Sequence, residues 1–467
     1  MMNQNKRFIR LCLIALFGWY VIPTYVYALT TLAKNDPFPV FNTYDPTNFL
    51  LTKEVESYRD PENYDGKPEF IGVSLGVFAQ NANRGRMFGG KGILGGVPLN
   101  LGDLEGRPNM ITLLYGALPQ GATLPPTLQA ARNVLFPGVV GPINDPTLVD
   151  PDQLFGCFSF PLKYRKKGIR FDLSTNIYQG FGIKIEGGVA SLSQTMTCTP
   201  MDLTCIAQPD CPFTFTPEQQ ADVQLYLMEQ LKAIAAEIGL ELNNYQKTEF
   251  EELRVSLYWR HIYDMNADHQ DWPDVLFIPY LYLGGSVSPS GRLNPDEFFG
   301  LPLGNNGHPA VFFKAGLDLN FLESIEIGGE VGITHFFSRD VCNFRVPNNP
   351  CQTGIFPFAT NVCFEPGQNW YFAAKMFAYH FLDRLSFWFQ YVIEEHKQDR
   401  IKLCKPDPAF LPEVLEERSR WKTKFANIGF TYDISPNVGL GFVWQTPFSS
   451  RNTYQSTTVL FSIYGTY

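Results

Sequence analysis

The sequence predicts an all-β fold, a transmembrane antiparallel β-barrel of about 12 strands, within a range of roughly 12 to 16. Three observations predict it: segments in which apolar and polar residues alternate, connections that are alternately short and long, and an N-terminal leader of the exported type. The composition agrees, because 45% hydrophobic and 15% aromatic residues, with 39 Gly and 35 Pro, are typical of a chain with many strands and turns.

The first residues have the pattern of a signal peptide. Lys6, Arg7 and Arg10 precede an apolar run over 11–22, and Val26-Tyr27-Ala28 follows it. Small residues at the first and third positions of that tripeptide suit a signal peptidase, so we expect cleavage after Ala28. An uncleaved membrane anchor is the alternative, although the run is short for a membrane span.

The rest of the chain is expected to be one domain, because no Ser/Gly-rich or charged linker divides it. After the signal peptide at 1–28, we predict a periplasmic N-terminal segment at 29–68 and the barrel at 69–467.

Strand periodicity is clearest at 325–334, where Ile325, Ile327, Val331 and Ile333 lie on one face and Glu326 and Glu330 on the other. Segments of this kind are long enough to cross a bilayer at the tilt of a barrel strand. They occur at 69–79, 168–178, 180–190, 252–263, 274–285, 308–319, 322–334, 369–382, 384–397, 420–432, 436–446 and 455–467. Two further segments, 110–115 and 155–160, could add a pair.

The connections between these segments alternate in length. Short ones lie at 179, 264–273, 320–321, 383 and 433–435, and long ones at 80–167, 191–251, 286–307, 335–368, 398–419 and 447–454. This sorting is expected when one rim of a barrel faces the periplasm and the other the exterior. An even number of strands then places both termini on the short-turn side.

The last segment carries Val459, Phe461, Ile463, Gly465 and Tyr467 on one face and ends on an aromatic residue. It resembles the C-terminal signal of bacterial outer-membrane proteins, although Gly465 replaces a larger side chain. The architecture from Phe70 to Tyr467 resembles the outer-membrane porin class. The resemblance implies a bacterial outer-membrane location, with outer-membrane lipid and the barrel-insertion machinery as partners.

Cysteines are confined to the long connections and their edges. The even number left after leader cleavage favours disulfides in an exported chain. Bridges within loops, and cross-links to another copy or to other envelope proteins, are both compatible with the spacing; buried free thiols are the alternative. Barrels with such loops resemble those of the disulfide-linked envelopes of the chlamydial group. The disulfide candidates are Cys157, Cys198, Cys205, Cys211, Cys342, Cys351, Cys363 and Cys404.

One segment has helical periodicity. Thr216-Pro217-Glu218-Gln219 has the features of a helix start, and apolar residues recur at helical spacing until Gly239. The helix could pack on the barrel rim or fold into the mouth of the pore as a constriction.

The polar face of the strands is predicted to line the lumen, because charged side chains in a barrel wall avoid lipid. Six cations and six anions then imply little net ion preference. These pore-lining candidates are Arg170, Lys184, Arg254, Arg260, Lys314, Lys375, Asp172, Glu186, Asp318, Glu326, Glu330 and Glu394. We expect a channel for passive diffusion of ions and small hydrophilic solutes. The alternatives are a lumen plugged by salt bridges and a structural or adhesive barrel with disulfide-linked surface loops.

The sequence has no convincing catalytic, cofactor-binding or metal-binding motif, so we expect neither an enzyme nor a bound cofactor. Gly72 to Gly76 matches a nucleophile-elbow pattern but lies inside an alternating strand, away from any strand-to-helix turn. Removing the three leader cations from the formal charge of −9 leaves −12, which argues against a nucleic-acid partner.

Overall fold

The computed structural model describes most of the chain beyond the predicted periplasmic segment. It covers residues 70–86, 98–104, 111–114, 116–135, 158–178, 180–197, 201–202, 229–265, 275–321, 325–350, 352, 354–382 and 384–467. The predicted signal peptide at 1–28 and the segment at 29–68 lie outside these residues. Within these ranges, no helix has the length and apolar character needed to cross a membrane.

The chain forms a closed antiparallel β-barrel of 12 strands. The fourth strand is interrupted at 251–252 and continues in the same position of the wall. The strands are β1 (Ile71–Ala82), β2 (Leu162–Tyr178), β3 (Phe181–Met196), β4 (Tyr245–Phe250 and Leu253–Arg260), β5 (Val275–Val287), β6 (Ala310–Phe321), β7 (Ile325–Phe336), β8 (Asn369–Leu382), β9 (Leu385–His396), β10 (Trp421–Ser435), β11 (Val438–Arg451) and β12 (Thr457–Thr466).

Closure comes from pairing of the last strand with the first. Each strand pairs with the next in sequence, and β12 pairs with β1 in a register that sets Val73 opposite Gly465. The amides of Phe70 and Ile71 both donate to the carbonyl of Tyr467, at 3.1 and 2.9 Å. The wall therefore has no free edge, and the predicted barrel class is confirmed.

Strand bounds differ from the prediction mainly at the long-loop end. β2 begins at Leu162 rather than at 168, and β3 continues to Met196 rather than ending at 190. In these extensions the outward positions are polar, so the outward apolar residues that marked a strand in the sequence are missing. The two further segments do not join the barrel: 111–114 is a 3-10 turn, and 158–159 pairs with 201–202 in a separate ladder.

Side chains alternate between an exposed apolar face and a buried polar face, as β7 illustrates. Ile327 and Val331 are 52% and 51% exposed on the outside, whereas Glu326 is buried on the inside. In β1, Val73, Leu75 and Val77 are exposed while Ser74 and Gln80 are buried. The outer surface is thus apolar where a bilayer would surround it.

The long connections carry the remaining structure. A small sheet pairs 339–345 with 359–365 and 359–365 with 400–403. Helices occupy Pro126–Leu135, 229–237 and Pro412–Ser419. The second is the C-terminal part of the predicted helix; it ends at 237, and Gly239, with φ of 77°, follows. Residues 216–228 lie outside the described residues. The first and third helices were not predicted.

We expect Val331→Arg to destabilise the barrel by about 2 to 4 kcal/mol, because the outward side chain lies near the middle of β7. Urea unfolding in phospholipid vesicles measures the loss, with Val331→Leu as the control that keeps the side chain apolar. Spin labels at 331 and 330 should report lipid and water, respectively. The opposite accessibility would show that the two faces of β7 are assigned the wrong way round.

Candidate functional site: the lumen of the barrel

All twelve predicted lumen residues lie on the strand face that points away from the exposed apolar surface. Eight are buried, namely Arg170, Asp172, Lys184, Arg254, Arg260, Asp318, Glu326 and Glu394, and four are half-buried, namely Glu186, Lys314, Glu330 and Lys375. Strict alternation along each strand produces this arrangement, since successive side chains point to opposite faces. Their role in lining a pore is a functional matter, which we treat below as a proposal.

A first ionic cluster joins β2 to the break in β4. Glu251 lies 2.5 Å from Lys166 Nζ and 3.1 Å from Arg170 Nε, and all three side chains are nearly inaccessible. The Arg170 guanidinium also stacks over the Phe78 ring at 4.1 Å. One carboxylate is therefore shared by two cations on the inner wall.

Lys166 and Glu251 were missed in the sequence because each lies just outside a predicted strand. Lys166 has the same parity as Arg170, so extending β2 toward its N-terminal end would have found it. Glu251 lies in the break of β4, where no periodicity places a side chain. Its backbone bonds hold it in place: its amide donates to the Gly188 carbonyl at 2.9 Å, and its carbonyl accepts from the Ser288 hydroxyl at 3.2 Å.

A second ionic cluster covers β5 to β8. Lys375 lies 2.8 Å from Asp318, and Lys314 lies 3.3 Å from Glu330. Since β8 and β6 are separated by β7, the first pair reaches across an intervening strand. Asp318 and Glu330 therefore form ion pairs with lysines of the inner wall and do not depend on water alone for their contacts.

Tyrosine hydroxyls complete this second cluster. Tyr371 and Tyr280 donate to Glu330 at 2.6 and 2.9 Å, and Tyr379 donates to Glu326 at 2.7 Å. The lumen residues predicted from the sequence are all charged, so these tyrosines are not among them. The alternation along β5 and β8 places these tyrosines on the inward face, and this pattern in the sequence could have identified them.

The remaining wall, from β9 through β12 to β1, is lined mainly by uncharged polar groups. Asn427 donates to Gln390 at 2.9 Å, and Thr458 donates to Gln445 at 3.0 Å. Further buried hydroxyls follow the same parity at Thr423, Thr431, Ser462 and Thr466. The lumen is therefore asymmetric, with most charges on β2 to β8 and hydroxyls and amides on the other side.

Several buried polar atoms of the inner face have no hydrogen-bond partner within the described part of the chain. They include Asp318 Oδ1, Asn320 Oδ1, Trp388 Nε1 and Ser462 Oγ. Buried polar atoms almost always find a partner in the protein or in water. A hydrated lumen would satisfy these four atoms.

The mouth of the barrel, the opening at its long-loop end, is lined by apolar rather than polar side chains. Inward residues at the ends of the strands, among them Phe78, Tyr164 and Leu192, share one apolar cluster with Leu231 and Ile234 of the helix at 229–237. The helix thus packs against the inner wall. This position agrees better with a helix folded into the mouth of the barrel than with one packed on the outer rim.

Arg345 connects three of the segments over this mouth. Its guanidinium donates to the Ile238 carbonyl and to Asp296, each at 2.6 Å, and to the Phe356 carbonyl at 3.2 Å. The Arg345 side chain is only 6% exposed. These contacts join the C-terminal end of the helix to two other external connections.

The described cysteines do not form the predicted disulfides. Cys342 and Cys363 are free thiols in the small sheet, and the free thiol of Cys404 directly follows its third strand. Cys363 lies directly opposite Asp340 and Lys402, so its cysteine neighbours are diagonal. Diagonal positions are roughly 7 to 8 Å apart, too far for the Cα separation of a bridge. The other five candidates, Cys157, Cys198, Cys205, Cys211 and Cys351, lie outside the described residues.

Burial raises the pKa of the Cys363 and Cys404 thiols, and the nearby Asp340 carboxylate raises both further. The neutral thiol is therefore favoured, which makes these cysteines weak nucleophiles at neutral pH. Within the ranges that the structure covers, no group of three or more His, Cys, Asp or Glu side chains could hold a metal ion.

No family model matches this sequence, and no curated protein matches it. Among solved structures, the chain is similar to an outer membrane channel from Pseudomonas putida F1, at 8% identity and a TM-score of 0.45, over 87% of this chain and 99% of that one. It is also similar to the toluene transporter TbuX of Ralstonia pickettii, at 10% identity and a TM-score of 0.30, over 86% and 90%. A third is the translocator domain of the autotransporter NalP from Neisseria meningitidis, at 6% identity and a TM-score of 0.28, over 90% and 96%.

We expect Glu251→Gln to lower the free energy of unfolding by about 3 kcal/mol, because it leaves the buried cations Lys166 and Arg170 without their carboxylate. Glu395→Gln is the matched control: this carboxylate also contacts several cations, but on the outer, solvent-accessible side. It should cost less than about 1 kcal/mol. Equal losses in urea titrations would mean that the Glu251 cluster is as well solvated as the surface.

Proposed function

We propose that this protein is an exported outer-membrane channel for passive diffusion of ions and small hydrophilic solutes. The observation that carries the proposal is the polar inner face of a closed barrel whose outer face is apolar. Only a barrel in a bilayer has reason to expose Val73, Leu75 and Val77 while enclosing Lys184, Asp318 and Glu394.

The chemistry of transfer follows from the lining. A hydrophilic solute that enters a bilayer loses hydration, and ions lose most. Hydroxyls, amides and paired charges along the wall offer replacement contacts at each level. Because the inward charges of both signs are largely paired with one another on β2 to β8, the lining does not select strongly by charge.

Orientation follows from the loops. Both ends of the barrel chain, Phe70 and Tyr467, meet at the short-turn rim, which we assign to the periplasm. The long connections then face outward. In this proposal the signal peptide directs export, and the insertion machinery recognises β12 with its terminal Tyr467.

A structural or adhesive barrel is the competing function. The sequence supported this function through the cysteines, which suggested disulfide-linked loops. The three described cysteines form no disulfide. We therefore rank the channel first, and conductance distinguishes the two.

In planar bilayers we expect discrete conductance steps from the purified protein. The double reversal Glu326→Lys with Glu330→Lys should shift the reversal potential toward anion selectivity, since both carboxylates are inward. The control is Glu413→Lys with Glu417→Lys, which makes the same charge change on exposed positions of the external helix and should shift selectivity much less. Absence of steps under conditions where a known porin conducts would favour the structural function.

Arg345→Met tests whether the external segments restrict the pore. Loss of its three contacts should loosen the mouth and give larger or more frequent openings, with little change in ion selectivity. Arg339→Met is the control, because Arg339 is exposed and donates to the Gly307 carbonyl at 2.6 Å from the same small sheet. Indistinguishable single-channel records for Arg345→Met and wild type would exclude this restriction.

A further inference from the structure

Three cations follow one another on the outer face of β2 near its external end. Lys163, Arg165 and Lys167 occupy alternate positions, Arg165 and Lys167 exposed and Lys163 half-buried. We call these three residues the basic strip. The same face continues directly into exposed Ile169 and Phe171. The strip therefore lies where the apolar outer surface ends.

No carboxylate faces the basic strip from the neighbouring strands. Lys167 lies opposite Ala79 of β1, and Arg165 lies opposite Asn81. On the other side, β3 contributes Ser191, Ser193 and Thr195 to the same outer face, and β4 contributes Gln246 and Thr248 behind them. Throughout the described residues, none of the three cations forms an ion pair or side-chain hydrogen bond.

The other cations of the wall differ in this respect. On the same strand, inward Lys166 and Arg170 share Glu251. On the opposite side of the barrel, Lys397, Arg420 and Lys422 surround the outer carboxylate of Glu395. In a chain with a formal charge of −9, an uncompensated basic strip indicates an anionic partner from outside the chain.

The geometry limits what that partner is. Alternate residues of a strand are about 6.6 Å apart, so the strip extends for roughly 13 Å along β2. Its position at the end of the apolar surface lets Lys and Arg side chains extend from the lipid boundary toward the headgroups. Hydroxyls of Ser193 and Thr195 lie beside the cations and suit a polyhydroxylated group.

We propose that the basic strip binds the phosphates of an anionic glycolipid headgroup in the outer leaflet. This site rests on the proposed outer-membrane location, which places the external end of β2 at that leaflet. Lys and Arg both form charge-assisted hydrogen bonds to phosphate oxygens. The ligand class is a phosphorylated, acylated disaccharide lipid rather than a soluble phosphate.

The test uses the full-length folded protein in detergent, with retained lipid counted by native mass spectrometry during titration with diphosphorylated lipid A. The strip variant Lys163→Gln, Arg165→Gln and Lys167→Gln should bind at least about tenfold more weakly than wild type. The matched control Lys397→Gln, Arg420→Gln and Lys422→Gln removes as many cations, all paired with Glu395, and should bind as wild type does. Heat-modifiable gel mobility verifies that each variant is folded.

Dephosphorylated lipid A and inorganic phosphate complete the experiment. Wild type should bind dephosphorylated lipid about as weakly as the strip variant binds lipid A, and millimolar inorganic phosphate should not displace the lipid. Unchanged affinity in the strip variant, equal affinity of wild type for dephosphorylated lipid, or full displacement by phosphate would each overturn the proposal.

Conductance separates this site from the channel itself. The strip variant should conduct like wild type in bilayers of zwitterionic phospholipid, because the strip faces away from the lumen. If the wild-type protein binds lipid A but never conducts, the channel function is wrong and the lipid-binding site is supported. If it conducts but shows no phosphate-dependent lipid binding, the channel function is supported and the lipid-binding site is wrong.

Discussion

The pairing of β12 with β1 is the constraint on which the rest of this structure depends. In hydrocarbon, each unpaired backbone N–H or C=O costs several kcal/mol, and an open sheet would expose two full edges. Here the register from Gly72 opposite Thr466 to Asn81 opposite Thr457 closes the wall along its whole length. Once the wall is closed, every side chain of a strand lies either outside or inside. The apolar exterior and the polar lumen are two results of the same closure.

Enclosing charges in the lumen requires compensation, and the strand arrangement supplies it locally. Lys375 reaches Asp318 from two strands away, and the Tyr280 hydroxyl reaches Glu330 across β6. Such contacts are possible because inward side chains of a barrel this small converge. These contacts hold the inward charges in fixed positions.

The side chains at the long-loop end of the barrel differ in type from those along the middle of the strands. Toward this end of β2, outward positions change from Ile169 to Lys167 and Arg165. Inward positions change in the opposite sense, to Phe78 and Tyr164, which pack with external segments. The long-loop end of the barrel is thus packed with apolar side chains, whereas the lumen beyond it is polar.

The sequence by itself determined the strand segments, the faces of the strands and the placement of the connections. The segment at 369–382 matches its strand without any change in bounds, because period-two alternation is a local property that a bilayer imposes residue by residue. All twelve charged candidates point inward for the same reason. The start of β2 was missed because its outward residues before Ile169 are cations rather than apolar side chains.

Only the tertiary structure decided which inward groups meet. Glu251 joins Lys166 and Arg170 through an interruption of β4 that no periodicity encodes. The free thiols follow from a register that sets Cys363 opposite Asp340 and Lys402. The mouth depends on Arg345 reaching residues about a hundred positions away in sequence, such as Ile238. Local patterns specify the face of a residue, whereas its partners depend on register and loop packing, which are set only when distant strands come together.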